Sequence, residues 1–233
     1  MSVAENLLRV RAAIDAACER AGRTPSEVRL LPVSKTFGTA AILQAYDAGM
    51  RIFGENKVQE AAAKAAELAD HSDLAWAMIG HLQRNKAREV AAFASEFHAL
   101  DSLRLAEALQ HRLEPADRTL DVFIEVNSSG EDSKFGLPPE DVPDLAAALD
   151  RLDRLRPRGL MTIAADSADR AVVEGCFVRM TDLRQRLRDD DLITGSYEEL
   201  SMGMSGDFDL AIAHGATTVR IGTAIFGRRS TGV

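Results

Sequence analysis

The feature that most limits what this chain can become is an alternation. Short apolar runs of β type recur at 29–35, 51–56, 74–80, 96–101, 121–127, 157–163, 199–205 and 217–222. Between them lie stretches rich in Ala, Leu and Glu, near 39–48, 57–69, 83–93, 102–113, 140–150, 168–188 and 207–214. Strand, helix, strand in this order forces a parallel sheet, because a crossover helix must return the chain to the same edge. The runs are nearly continuous in apolar residues rather than alternating, as expected of strands covered on both faces. Eight of them predict a closed (β/α)8 barrel. An open doubly wound sheet is the alternative, but no Gly-rich dinucleotide fingerprint follows the first run.

Helix boundary signals support this reading. Thr39 precedes "AAILQAYDAG", Asp101 precedes "SLRLAEALQ", and Pro138-Pro139 precede "EDVPDLAAALD". Gly49 and Gly215 stand where helices would stop. The first 22 residues, "MSVAENLLRVRAAIDAACERAG", read as one more amphipathic helix ahead of the barrel. No linker divides the chain, so residues 1–233 are expected to form a single domain. The long polar stretch "NSSGEDSKFGLPPE" is expected at the barrel mouth.

Composition narrows the function. The 233 residues are 46% hydrophobic, enough for a sizeable core, and carry a net charge of -8. An acidic chain without a basic stripe is not expected to bind nucleic acid. No apolar run reaches membrane-spanning length, and no signal-peptide core is present. Cys18 and Cys176 form no CxxC pair and read as reduced thiols of a cytoplasmic protein.

In such barrels the chemistry gathers at the C-terminal strand ends. There the sequence offers Lys35, Asn56, His81, His98 to Asp101, Asn127 with Lys134, Met161-Thr162, Ser201 to Ser205, and Arg220 with Gly222 and Thr223. Gly222 and Thr223 suit a phosphate, since glycine admits an anion to free backbone N–H groups; an ordinary turn with a helix cap reads equally well. Lys35 is either a solvated strand end or a Schiff-base amine whose pKa burial and a nearby cation would lower. Arg220 interrupts the apolar run "TTVRIG". If it faces inward it needs a partner, either Glu55 or Asp207 in an ion pair, or a ligand heteroatom. Asn56 orients a ligand or caps a helix, and His81 is an acid, a base or a backbone-bonded mouth residue. The cations Arg84, Lys86 and Arg88 read as a solvated face, and no metal-ligand spacing stands out.

Ordered motifs carry a resemblance. "LPVSKTFG", "FGENKVQE", "MIGHLQRNK", "SKFGL", "RGLMTIA" and "LSMGMSGDFDLAIAHGATTVRIGTAIFGRR" resemble the pyridoxal phosphate homeostasis protein family, from about Arg29 to Arg228. The resemblance implies a barrel similar to the N-terminal domain of alanine racemase. It implies pyridoxal 5′-phosphate (PLP) held as a Schiff base on Lys35. Its phosphate would lie around Ser201, Gly222 and Thr223, with Met202 in the same segment and Arg220 facing the pyridine nitrogen. Asn56 and His81 would line the pocket, and Lys134 is a candidate second cofactor lysine. The role implied is buffering PLP and delivering it to apo-enzymes, without robust turnover; a barrel that surrounds its own cofactor needs no partner to complete the pocket, so a monomer is expected. A low-activity amino-acid racemase is the alternative, and a cofactor-free Schiff-base aldolase a third. Two features disfavour a racemase. An arginine at the ring nitrogen weakens the electron sink, and Tyr46 and Tyr197 stand at no predicted strand end.

Overall fold

A computed structural model describes residues 2–227; Arg228, where the resemblance ends, lies outside them. The strands are β1 (Arg29–Pro32), β2 (Ile52–Glu55), β3 (Ala75–Met78), β4 (Glu96–Leu100), β5 (Leu120–Glu125), β6 (Leu155–Met161), β7 (Glu199–Ser201) and β8 (Thr218–Ile221). The helices are α1 (Val3–Arg20), α2 (Thr39–Asp47), α3 (Val58–Glu67), α4 (Ala87–Phe93), α5 (Leu103–Leu113), α6 (Val142–Leu149), α7 (Arg170–Arg188), α8 (Phe208–Ala213) and α9 (Thr223–Phe226). All strand pairs are parallel, in the order β1-β8-β7-β6-β5-β4-β3-β2. The last gap, between β1 and β2, closes through a single parallel bridge from Val33 to Gly54 and the bond from Ser34 N to Gly54 O at 3.0 Å. The expected (β/α)8 barrel is therefore present.

Helix α1 packs outside the barrel. Ser2 and Glu5 form a reciprocal capping box at its start, so two otherwise orphaned backbone donors are satisfied. Leu7, Val10, Ile14, Ala17 and Cys18 recur on one face and are buried. Burying each of Leu7, Val10 and Ile14 contributes about 1.5–3 kcal/mol. Asn6 Nδ2 donates to Ile225 O at 2.8 Å, tying this helix to the turn after β8.

The barrel interior is not wholly apolar. Arg29, at the start of β1, makes a two-pronged bond to Glu96 of β4. Glu96 Oε2 meets His98 Nε2 at 2.8 Å, and His98 Nδ1 meets Ser201 Oγ at 2.9 Å. Arg220 of β8 then donates to Ser201 Oγ at 2.9 Å. A connected polar column thus runs up the barrel toward the mouth.

Several boundaries differ from the sequence reading. Gly38 and Ser102, rather than Thr39 and Asp101, hold the N-cap positions of α2 and α5. The expected strand 199–205 ends at Ser201, because Gly203 at φ +92° turns the chain out of the sheet. Arg220 makes no ion pair with Glu55 or Asp207. Its partners are Ser201 O, Ser201 Oγ and Thr162 O, the strand carbonyls and hydroxyl that surround it.

Candidate functional site

The backbone around Lys35 is held from both sides by buried charge. Ser34 is fully buried; its hydroxyl donates to Glu55 Oε1 at 2.6 Å. Lys64 of α3 donates to Glu55 at 2.6 Å, to Glu60 at 2.7 Å and to the Ser34 carbonyl at 3.0 Å. Thr36 has a left-handed backbone, φ +69°, which costs a threonine about 1–2 kcal/mol. Its amide donates to Glu60 Oε1 at 2.5 Å, and this bond holds it there. Lys64 therefore occupies the nearby carboxylates, while half-buried Lys35, set between two anchored residues, points into the pocket. Burial pushes the Glu55 carboxyl up, and the bonds from Lys64 and Ser34 offset part of that.

A cavity of about 750 Å³ opens at the C-terminal mouth of the barrel. Lys35, Asn56, His81, Arg220, Gly222 and Thr223 all line it. Ser201 and Met202 do not line it. Both are fully buried, and the Ser201 hydroxyl is engaged by Arg220 and His98 beneath the floor. From the segment after β7 it is Met204, Ser205 and Gly206 that face the cavity. Lys134 is also outside it: its amine donates to Ala164 O at 2.7 Å and pairs with Glu131 at 2.9 Å. The neighbouring Phe135 is in the wall and stacks on His81, ring centroids 4.1 Å apart. His81 Nδ1 meets Asp101 Oδ2 at 3.0 Å.

Glu125, at the end of β5, is a lining residue that the sequence reading passed over. A carboxylate inside "DVFIEVN" carried the same signal as Arg220 inside "TTVRIG": charge within an apolar strand. Burial, and then Asp101, push it up to about 7, against the pull of Arg220. Glu125 Oε2 and Asn56 Oδ1 are buried without a hydrogen-bond partner among the described residues. Both atoms are free to bond to a water or a ligand in the cavity.

Arg220 stays charged at neutral pH, although burial lowers it to about 10. Both Nη1 hydrogens and one Nη2 hydrogen are used below. Two of its five donors remain for a ligand. Gly222 fits where no side chain would: a Cβ there would sit 2.9 Å from the Val33 carbonyl. The first amides of α9, next to it, have no intrahelical acceptor. Among the described residues no group of three or more His, Cys, Asp or Glu could hold a metal ion. No described helix is long and apolar enough to cross a membrane.

Residues 6–230 match the family described as alanine racemase, N-terminal domain. The chain is 47% identical over 231 residues to the pyridoxal phosphate homeostasis protein of Pseudomonas aeruginosa, spanning 99% of this chain and 97% of that one. This chain belongs to the pyridoxal phosphate homeostasis protein family. PipY of Synechococcus elongatus, solved with PLP bound, superposes on this family member at a TM-score of 0.82 with 36% identity, covering 97% of this chain and all (100%) of PipY. Alanine racemase of Corynebacterium glutamicum shares the fold at a TM-score of 0.69 and 15% identity. There the match covers 99% of this chain but 62% of the racemase.

Proposed function

We propose that this chain holds PLP in the mouth cavity, with Lys35 as the covalent anchor, and takes part in PLP homeostasis by buffering the cofactor and delivering it to apo-enzymes. The observation that carries this reading is the amine of Lys35 in one cavity with the Gly222–Thr223 turn and the upward donors of Arg220. Ser205, Gly206, Gly222 and Thr223 form the polar, side-chain-poor part of the wall suited to a phosphate. Asn56 and His81 line the rest, and Phe135 shields the ring side. Ser201 acts from beneath by orienting Arg220, and Met202 by filling the core under the same segment. Lys134 belongs to the loop over the mouth, where it becomes a second lysine only if its Glu131 pair opens.

When bound, PLP supplies an aldehyde joined to an electron-accepting ring. Arg220 is a permanent donor and cannot give the ring nitrogen a proton, so the sink stays weak. Tyr46 is bonded to Asp73 outside the cavity and Tyr197 is buried away from it. No tyrosine is placed to move a substrate proton among the described residues of the wall. Holding the cofactor therefore accounts for the site better than racemisation. We read the chain as one cytoplasmic domain, 1–233, that works as a monomer, since one barrel supplies every wall of the cavity described.

The test is reconstitution with PLP followed by borohydride reduction and peptide mapping. The label is expected on Lys35, with a visible band that disappears in Lys35→Ala. A protein that takes up no PLP would overturn the proposal. Label confined to Lys134 would move the anchor.

A further inference from the structure

Glu125 is a buried carboxyl, 6% exposed, in the wall of the cavity. Its Oε2 has no partner among the described residues. Glu55 likewise has one unpartnered buried oxygen, Oε2, but its Oε1 is bonded, as are both oxygens of Glu96. Glu55 is bonded to Lys64 and Ser34, and Glu96 to Arg29 and His98. We propose that Glu125 is a ligand-facing acid of the cofactor cavity: it receives PLP in its neutral form and donates a hydrogen bond from its carboxyl to the bound molecule, so that loading takes up a proton.

The inference rests on the PLP reading above and assigns a further residue to that site. A phosphorylated ligand brings nearly two negative charges at neutral pH. An ionised Glu125 would add a third in a partly desolvated cavity, with no donor to offer. A neutral carboxyl offers one O–H, and PLP presents acceptors for it in its phosphate oxygens, its ring oxygen and an unprotonated ring nitrogen. The groups facing Glu125 are few. Arg220 of β8 favours its ionised form and Asp101 at the end of β4 opposes it. Lys35 after β1 and His81 after β3 share the cavity. Glu55 of β2 is occupied by Lys64, Asp207 after β7 acts on Arg220, and His98 of β4 is held neutral by burial. Met161 and Thr162, on and after β6, carry no charge. Burial outweighs the single cation, so the free protein holds Glu125 near the midpoint of its titration at neutral pH. Loading then needs only a small further push.

The experiment compares the apparent Kd for PLP of the wild-type protein and Glu125→Gln from pH 6 to pH 8.5. Glutamine keeps the shape and a donor but does not titrate. Every other group is common to both proteins, so the ratio of the two curves reports Glu125. The two affinities are expected to agree within about threefold at pH 6, and the wild type to weaken relative to the variant by about tenfold per unit above its midpoint. At pH 8.5 the variant should bind about 30-fold more tightly. On the wild type alone, infrared difference spectra on loading at pH 8 should gain a protonated-carboxyl band, which keeps the test valid if the variant folds poorly. Parallel curves, or no such band, overturn the role of Glu125 while leaving PLP binding intact. Failure of both proteins to bind PLP overturns the cofactor reading and this inference with it.

Discussion

Lys64→Met tests whether the backbone of Lys35 is held by buried charge. Lys64 Nζ lies 2.6 Å from Glu55, whose side chain is 0% exposed, and the lysine side chain itself is 8% exposed. Removing one partner of a buried ion pair typically costs about 3–5 kcal/mol. Here an upper limit follows from the carboxyl's own escape, which is to take a proton. Neutralising a carboxyl of ordinary pKa at pH 7 costs about 3.7 kcal/mol, at 1.36 kcal/mol per unit. The expected loss is thus about 3 to 3.7 kcal/mol at pH 7, or a Tm lower by about 6–15 °C for a chain of this size. Burial raises the folded-state pKa of Glu55, so its contribution is most favourable below the unfolded carboxyl range and is lost as pH rises. The variant should therefore recover on acidification, its deficit shrinking toward about 1 kcal/mol at pH 5. Glu55→Gln combined with Lys64→Met should lie within about 1 kcal/mol of wild type, because no buried charge is then left alone. Urea titrations at both pH values measure this. A loss below about 1 kcal/mol at pH 7, or an equal loss at pH 5, would refute the reasoning.

Gly222→Ala puts a Cβ 2.9 Å from the Val33 carbonyl and 3.4 Å from its Cβ, so β1 and β8 must part. A stability loss of about 1–3 kcal/mol is expected, together with faster loss of PLP on dialysis. Tyr197→Phe removes a buried hydroxyl that has no partner among the described residues. It should leave Tm unchanged or raise stability by up to about 1 kcal/mol, and a clear drop in Tm would reveal a partner for that hydroxyl.

The barrel was legible because parallel strands buried on both faces leave uninterrupted apolar runs, and crossover helices leave Ala- and Leu-rich ones between them. The mouth residues followed from position: Lys35, Asn56, His81, Arg220, Gly222 and Thr223 stand at or just past strand ends and share one cavity. Ser201 and Met202 stand beneath the cavity for a local reason. Gly203 redirects the chain, so the residues after it, not before it, reach the cavity. Glu125 is not legible as a mouth residue because the apolar run continues to Asn127, two residues past it. The capture of Glu55 by Lys64 was not legible at all. It depends on how α3 leans back over β2, and no periodicity within one element reports that.

The polar column explains why an arginine can stand at the cavity floor. The bonds from His98 and Arg29 overcome the effect of burial and bring the Glu96 carboxyl down to about 2, so Glu96 is an acceptor only. His98 Nε2 must then carry a hydrogen toward it. Burial lowers the His98 pKa, which leaves the ring neutral and Nδ1 an acceptor. The Ser201 hydroxyl donates to Nδ1 and is free to accept from Arg220. Every hydrogen in the column therefore has one direction, and the guanidinium is fixed by an alignment that begins at Arg29 on the opposite end of the barrel. Such a floor has no proton to release, because Glu96 is ionised, the one hydrogen of neutral His98 is turned to Glu96, and the Ser201 hydroxyl is spent on His98. Under the proposed reading, this suits the site to holding the cofactor: the ring nitrogen meets a donor that never yields its proton.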